Sequence, residues 1–160
     1  MDGLVWSDGL LEEARQVRAQ VAGTLTGLAV PGEVDLTGGL SVPGALTKGD
    51  VDLHLRVRPE DFDAVVARLR ELLPVASPQA WAATLAVFDV PGPRPTGLAV
   101  TPRGSEHDLR FRRTWERLRR EPKLLARYNA LKVESVDPAD YEDRKSRFFS
   151  SITGPDGGPG

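Results

Sequence analysis

Asp50 and Asp52 are separated by one residue in a stretch whose apolar side chains alternate. On an extended strand such a pair shares a face roughly 6–7 Å apart along the backbone. Two carboxylates held that close repel unless a cation lies between them. Mg²⁺ suits the position, being commonly held by one or two carboxylates with phosphate oxygens and water. Ten residues separate Asp50 from Gly38-Gly39, which open a loop that permits close backbone approach and offers N–H groups to an anion. Ser41 adds a hydroxyl and Lys48 a compact positive charge. A phosphate cradle beside a metal clamp is what phosphoryl or nucleotidyl transfer requires, because its catalysis is largely positioning and charge neutralisation. Asp50 and Asp52 are thus the candidate catalytic and metal-binding residues. Gly38, Gly39, Ser41 and Lys48 are candidate nucleotide-binding residues.

The surrounding elements must hold these groups in place. Leu10, Ala14, Val17, Val21 and Leu25 recur at helical spacing and predict a helix over 8–26, with Asp8 as its N-cap. A short strand is expected at 33–37, followed by the loop 38–49. From Asp50 onward the period becomes two: Val51, Leu53, Leu55 and Val57 face one way, and Asp50, Asp52, His54 and Arg56 the other. This reads as a half-buried strand with a polar face. His54 on that face is either a ligand or a packed strand histidine. Pro59 opens a helix through Leu73, and the apolar runs 82–89 and 97–101 flank a proline-rich turn, so a hairpin is expected. Helices follow over 108–120, 122–132 and 138–151, with Pro122 and Pro138 in first turns and Asp137 as a cap. The whole predicts an α/β protein: a small mixed sheet flanked by helices, with a helical C-terminal third. One domain over 1–152 and a disordered tail over 153–160 are expected.

Composition narrows the function classes. The chain has 160 residues, 40% hydrophobic and 28% charged, an ordinary composition for a single soluble domain. A net charge of −2 gives no global field for nucleic acid, and the absence of cysteine excludes disulfides, thiolate metal sites and cysteine nucleophiles. No apolar run approaches the ~18 residues of a membrane span, and the N-terminus lacks a signal peptide's pattern, so a cytoplasmic setting is expected. Arg110, Arg112, Arg113, Arg117, Arg119, Arg120, Lys123 and Arg127 make the later helices basic. They form either a solvated, ion-paired face or a set from which one or two cations meet a triphosphate. Trp115, Tyr128 and Tyr141 read as packing residues rather than base-stacking platforms.

Gly38-Gly39, ten residues, then Asp50-Val51-Asp52 resembles the pattern of the nucleotidyltransferase superfamily. More narrowly, Gly39-Leu-Ser-Val-Pro-Gly-Ala-Leu-Thr-Lys-Gly-Asp-Val-Asp-Leu resembles the loop of the GrpB-like family, with Ser41, Val42, Pro43, Gly44, Lys48 and Asp52 matching. Leu118-Arg-Arg-Glu-Pro and the following Tyr128, Leu131 and Lys132 are similar to that family's second block, and Tyr141, Lys145 and Phe148 to its third. Two departures, Gly39 for serine and Asp50 for an apolar residue, move the chain toward the superfamily pattern.

The resemblance implies a nucleotidyltransferase-like fold that binds a nucleoside triphosphate with Mg²⁺. Lys132 and Lys145 join the candidate nucleotide-binding residues. Nucleotidyl transfer to an unknown acceptor hydroxyl is the implied reaction. Active superfamily members add a third carboxylate, often the general base. The strand 97–101 has none, leaving Asp89, then Glu106 and Asp108, as candidates. The alternative is a non-catalytic nucleotide- or ligand-binding accessory module linked to coenzyme A metabolism, since some family members are fused to dephospho-coenzyme A kinase.

Overall fold

A computed structural model describes residues 3–153; the expected disordered tail lies outside them, except that Thr153 ends the last helix. The strands are β1 (Val5–Trp6), β2 (Glu33–Thr37), β3 (Leu46–Thr47), β4 (Val51–Val57), β5 (Ala86–Asp89) and β6 (Thr96–Pro102). The helices are α1 (Leu11–Gly27), α2 (Phe62–Leu72), α3 (Glu106–Arg120), α4 (Pro122–Glu134) and α5 (Pro138–Thr153). Four strands form one mixed sheet in the order β2-β4-β6-β5, with β4 and β6 parallel and the outer pairs antiparallel. A two-stranded antiparallel ribbon, β1-β3, stands apart from it. The expected mixed sheet with a helical C-terminal third is the observed architecture. Among the described residues no helix is long and apolar enough to cross a membrane.

Alternation along β4 sets the layers. Val51, Leu53, Leu55 and Val57 join Leu98 and Val100 of β6, Ala86 and Phe88 of β5, and the apolar stripes of α1 and α2 in one core. The opposite face was expected to be half open, but His54 and Arg56 are buried there too. The reason is α3, which lies across this face and supplies Asp108 to Arg56 through two hydrogen bonds of 2.6 and 3.0 Å. His54 bonds Thr101 at 2.7 Å and meets the edge of Phe111, so it is a packed strand histidine. Burial first, then Arg56 and Arg112, pull its pKa down to about 4.

A second, smaller core holds the helical third against the loop. Val42 and Ala45 of the loop pack with Leu118, Leu124, Tyr128 and Phe148. Asn129 fastens the two layers: its amide donates to Gly44 O and accepts from Leu46 N–H, both at 2.9 Å. Several boundaries differ from those expected. Ser7–Gly9 form a 3₁₀ turn before α1, and Asp8 accepts the Gly44 N–H at 3.0 Å instead of capping the helix. Pro59–Asp61 are likewise 3₁₀ before α2. Asp137 does cap α5, accepting the Asp140 N–H at 2.8 Å.

Candidate functional site

β2 ends at Thr37, and Gly38 turns the chain with φ +71° into a 3₁₀ turn over Gly39–Ser41. Register explains the placement, because Thr37 pairs with Asp52 across β2 and β4. Gly38 therefore lies directly against Asp52: a Cβ there would come within 2.8 Å of the Asp52 Cβ. Gly39 is less confined. A Cβ on it would meet Lys132 Nζ and Thr47 Oγ1 at ordinary contact, 3.5 Å each, so the serine seen at this position in the resembling pattern fits the space.

Loop, strand and helical third converge on a polar cleft of about 210 Å³. Asp50 and Asp52 line it, with Gly39 and Lys48 from the loop and Lys132 and Lys145 from α4 and α5. Six of the eight predicted site residues thus meet in one hollow. Gly38 borders an adjoining cavity instead. Ser41 turns inward to the loop, donating to Gly38 O at 2.7 Å and accepting from Arg119 Nη1 at 3.0 Å. The rest of the basic set stays outside this cleft: Arg117 pairs with Glu121, Arg120 with Glu116, and Arg127 sits over the Phe148 ring.

The charged groups of the cleft shift one another without forming salt bridges among the described residues. Asp52 opens to the cleft yet is crowded by protein, and burial, with Asp50 repelling it, raises its pKa to about 6. Lys145 and Lys132 oppose that rise from a distance, but among the described residues Asp52 forms no salt bridge. Lys132 is buried; its Nζ donates to Leu46 O and lies 4.2 Å from the Tyr128 ring centroid. Burial first, then repulsion by Lys145 and Lys48, lowers its pKa to about 7, while Asp52 works against the fall. The cleft walls include Trp115, Tyr128 and Tyr141, so the aromatics expected only to pack also border the site. The Tyr128 and Tyr141 hydroxyls share a hydrogen bond, and burial pushes Tyr141 up to about 12, keeping it neutral.

None of the carboxylates considered as a third acidic group reaches the pair. Asp89 pairs with Gly97, which pairs with Asp52, so Asp89 lies two strands away, roughly 10 Å by sheet spacing. Asp108 is committed to Arg56, and Glu106 is exposed in the first turn of α3. Among the described residues no group of three or more acidic or histidine side chains is placed to hold a metal ion. The acidic residue that does border the cleft is Glu142 of α5. Its signal was its position three residues before Lys145, which places both on one helical face.

The profile of the GrpB protein family matches residues 5–154. The chain belongs to the GrpB family. A UPF0157 protein of Vibrio cholerae is 27% identical over 124 residues, a match covering 76% of this chain and 65% of that relative. This GrpB-family chain therefore aligns with less than two thirds of the relative's length. The crystal structure of the conserved protein GrpB from Enterococcus faecalis superposes with a TM-score of 0.63 at 14% identity, covering 94% of this chain and 99% of that one. At that identity the likeness establishes the shared GrpB fold.

The raised pKa of Asp52 has a direct consequence for stability. A carboxyl whose folded pKa lies above its unfolded value contributes stability that is complete below about pH 4 and lost as pH rises through about 6. Asp52→Asn removes the charge that burdens the folded state at higher pH. The ligand-free variant is expected to melt about 2–4 °C above wild type at pH 8, on the order of 1 kcal/mol after solvent screening. The gap should close by pH 4. Melting curves at the two pH values decide it: equal or lower stability of the variant at pH 8 defeats the electrostatic account.

Proposed function

We propose that this GrpB-family protein binds a nucleoside triphosphate together with Mg²⁺ in the polar cleft. The observation that carries the reading is the convergence of Asp50 and Asp52 with Gly39, Lys48, Lys132 and Lys145 from four separate segments. Acidic groups alone would suit a bare cation, and lysines alone an anion. Together they suit a metal–polyphosphate, in which each ligand charge meets its opposite. Mg²⁺ fits the donors present, since two carboxylates plus phosphate oxygens are its ordinary environment and Asp52 has no salt-bridge partner among the described residues. Asp50 and Asp52 would hold the ion, which would neutralise phosphate charge when bound. The lysines take the outer phosphate oxygens, and the neutral Tyr141 hydroxyl offers a further donor.

Binding without transfer is the simpler reading, because none of Asp89, Glu106 and Asp108 supplies a third carboxylate beside Asp50 and Asp52. It accords with an accessory role, including one linked to coenzyme A, itself a nucleotide. Transfer keeps one specific point in its favour: Glu142 borders the same cleft. In that reading an acceptor hydroxyl oxygen bonds to the α-phosphorus, the α–β bridging bond breaks with its electrons leaving on pyrophosphate, and the hydroxyl proton passes to a base.

Calorimetric titration of the four nucleoside triphosphates and coenzyme A, with and without Mg²⁺, tests the proposal. Wild type should bind at least one triphosphate more tightly with Mg²⁺, and Asp50→Asn/Asp52→Asn should lose the Mg²⁺-dependent part, a tenfold or greater loss. No binding by wild type, or unchanged binding by the double variant, overturns it. Pyrophosphate release across a panel of hydroxyl acceptors, abolished by Glu142→Gln, would establish transfer over binding.

A further inference from the structure

A second hollow of about 330 Å³ adjoins the polar cleft and shares Asp52, Trp115 and Lys145 with it. Its character is opposite. Val87, Gly97, Ala99, Phe111, Thr114 and Phe149 give it a largely apolar wall between the sheet and α3. The register shows why space is left there. On the face of the sheet toward α3, successive residues of β6 are Gly97, Ala99 and Thr101, paired with Asp52, His54 and Arg56 of β4. At the Arg56 end, the bonds from Arg56 to Asp108 and from His54 to Thr101 fill the gap beneath α3. At the Asp52 end, the β6 side chains shrink to almost nothing. A Cβ added to Gly97 would meet only Asp52 Oδ1, at 3.8 Å.

Protein interiors are close-packed, and apolar walls left facing water forgo the stabilisation that burial gives. A hollow of this size lies at the low end of the range for small-molecule sites, about 300–1,000 Å³. Its position matters more than its size, because its shared wall carries the acidic and basic groups of the cleft. A molecule spanning both hollows needs a charged end for Asp52 and Lys145 and a flat, weakly polar end for Phe111, Trp115 and Phe149.

We infer that the apolar hollow receives the base of the nucleotide whose phosphates occupy the polar cleft. The inference rests on the function proposed above and adds to it where specificity resides: base and phosphates meet at the wall the two hollows share, and the hollow rather than the cleft distinguishes a nucleotide from a bare polyphosphate. Ring stacking and burial of the base then supply affinity that inorganic phosphate lacks.

The test compares two probes, Mg²⁺-tripolyphosphate and the Mg²⁺-nucleoside triphosphate that binds best, on wild type, Ala99→Leu and the milder Ala99→Val. Wild type should bind the nucleotide at least tenfold more tightly than tripolyphosphate. Ala99→Leu should weaken the nucleotide tenfold or more and leave tripolyphosphate within twofold. Equal wild-type affinity for the two probes overturns this inference alone, as does a filled hollow that leaves nucleotide affinity unchanged or weakens both probes alike. Failure of wild type to bind either probe overturns the underlying reading as well. Should Ala99→Leu not fold, Ala99→Val and the wild-type comparison decide the matter.

Discussion

Gly38→Ala is expected to destabilise the protein by about 2–4 kcal/mol and to abolish whatever binding Asp52 supports. Two independent penalties meet at this residue. Its φ of +71° is a conformation that L side chains rarely adopt, which costs on the order of 1 kcal/mol. The added Cβ would also fall 2.8 Å from the Asp52 Cβ and 2.9 Å from its Cγ, and closer still to Oδ2. These neighbours belong to β4, in the centre of the sheet, so relief requires moving either the strand or the carboxylate; overpacking of this kind costs about 1–3 kcal/mol. At about 2–4 °C per kcal/mol for a chain of this size, the melting temperature should fall by roughly 5–15 °C. Asp52→Gly removes the colliding atoms, so the double variant should recover more than 1 kcal/mol of the Gly38→Ala loss. Purely additive effects of the two substitutions would show that the loop conformation, not the contact with Asp52, fixes Gly38.

The elements on either side of that contact were legible in the sequence. The glycine pair and the alternating carboxylates, ten residues apart, read as a loop leading into a strand; what sets the loop against that strand is the antiparallel pairing of Thr37 with Asp52, which spacing does not show. Period-two alternation located β4, and β2 occupies the expected 33–37. The prolines at 122 and 138 marked the starts of α4 and α5, because a residue without an N–H suits a first turn.

Other features left no local trace. β1 and β3 are two residues each, too short to show a period, and exist because Ser7 N–H and hydroxyl bond Ala45 O and Val42 O at 2.8 and 2.6 Å. Ser41 read as a ligand donor because a hydroxyl in a glycine loop has that capacity; its orientation is decided by Arg119, 78 residues away. Glu142 carries no motif of its own beside Tyr141 and Lys145, although the turn of α5 that presents them also presents it. The burial of His54 and Arg56 depends on where α3 comes to rest, which alternation along β4 does not encode.

The residue that decides the position of α3 is Asp108, and Asp108→Ala is expected to cost about 3–5 kcal/mol. Asp108 is fully buried, accepts both hydrogen bonds from Arg56, and accepts the Gly104 N–H at 2.8 Å. Removing it leaves the Arg56 guanidinium buried without its counter-charge, the situation in which breaking an ion pair is most damaging. Replacing both partners with apolar residues, Arg56→Met/Asp108→Leu, should restore much of the loss, since burying two charges carried its own desolvation cost. The pair also sets the acid limit. Burial alone would raise the Asp108 pKa, but the Arg56 and Gly104 bonds outweigh it and hold the carboxyl below its usual range. Its stabilisation is thus present above about pH 4 and lost as pH falls through that lowered value. His54 acts earlier. With its pKa pulled down to about 4, the stability of its neutral form is present above about pH 6.5 and drains away on the way down to 4, about 3 kcal/mol in all. Wild type should lose stability in two stages on acidification, the first from His54 and the second from Asp108. Asp108→Ala should keep the first and lose the second. Denaturant melts between pH 3 and 7 separate the stages, and a variant that retains wild-type acid sensitivity below pH 4 would show that Asp108 does not anchor α3.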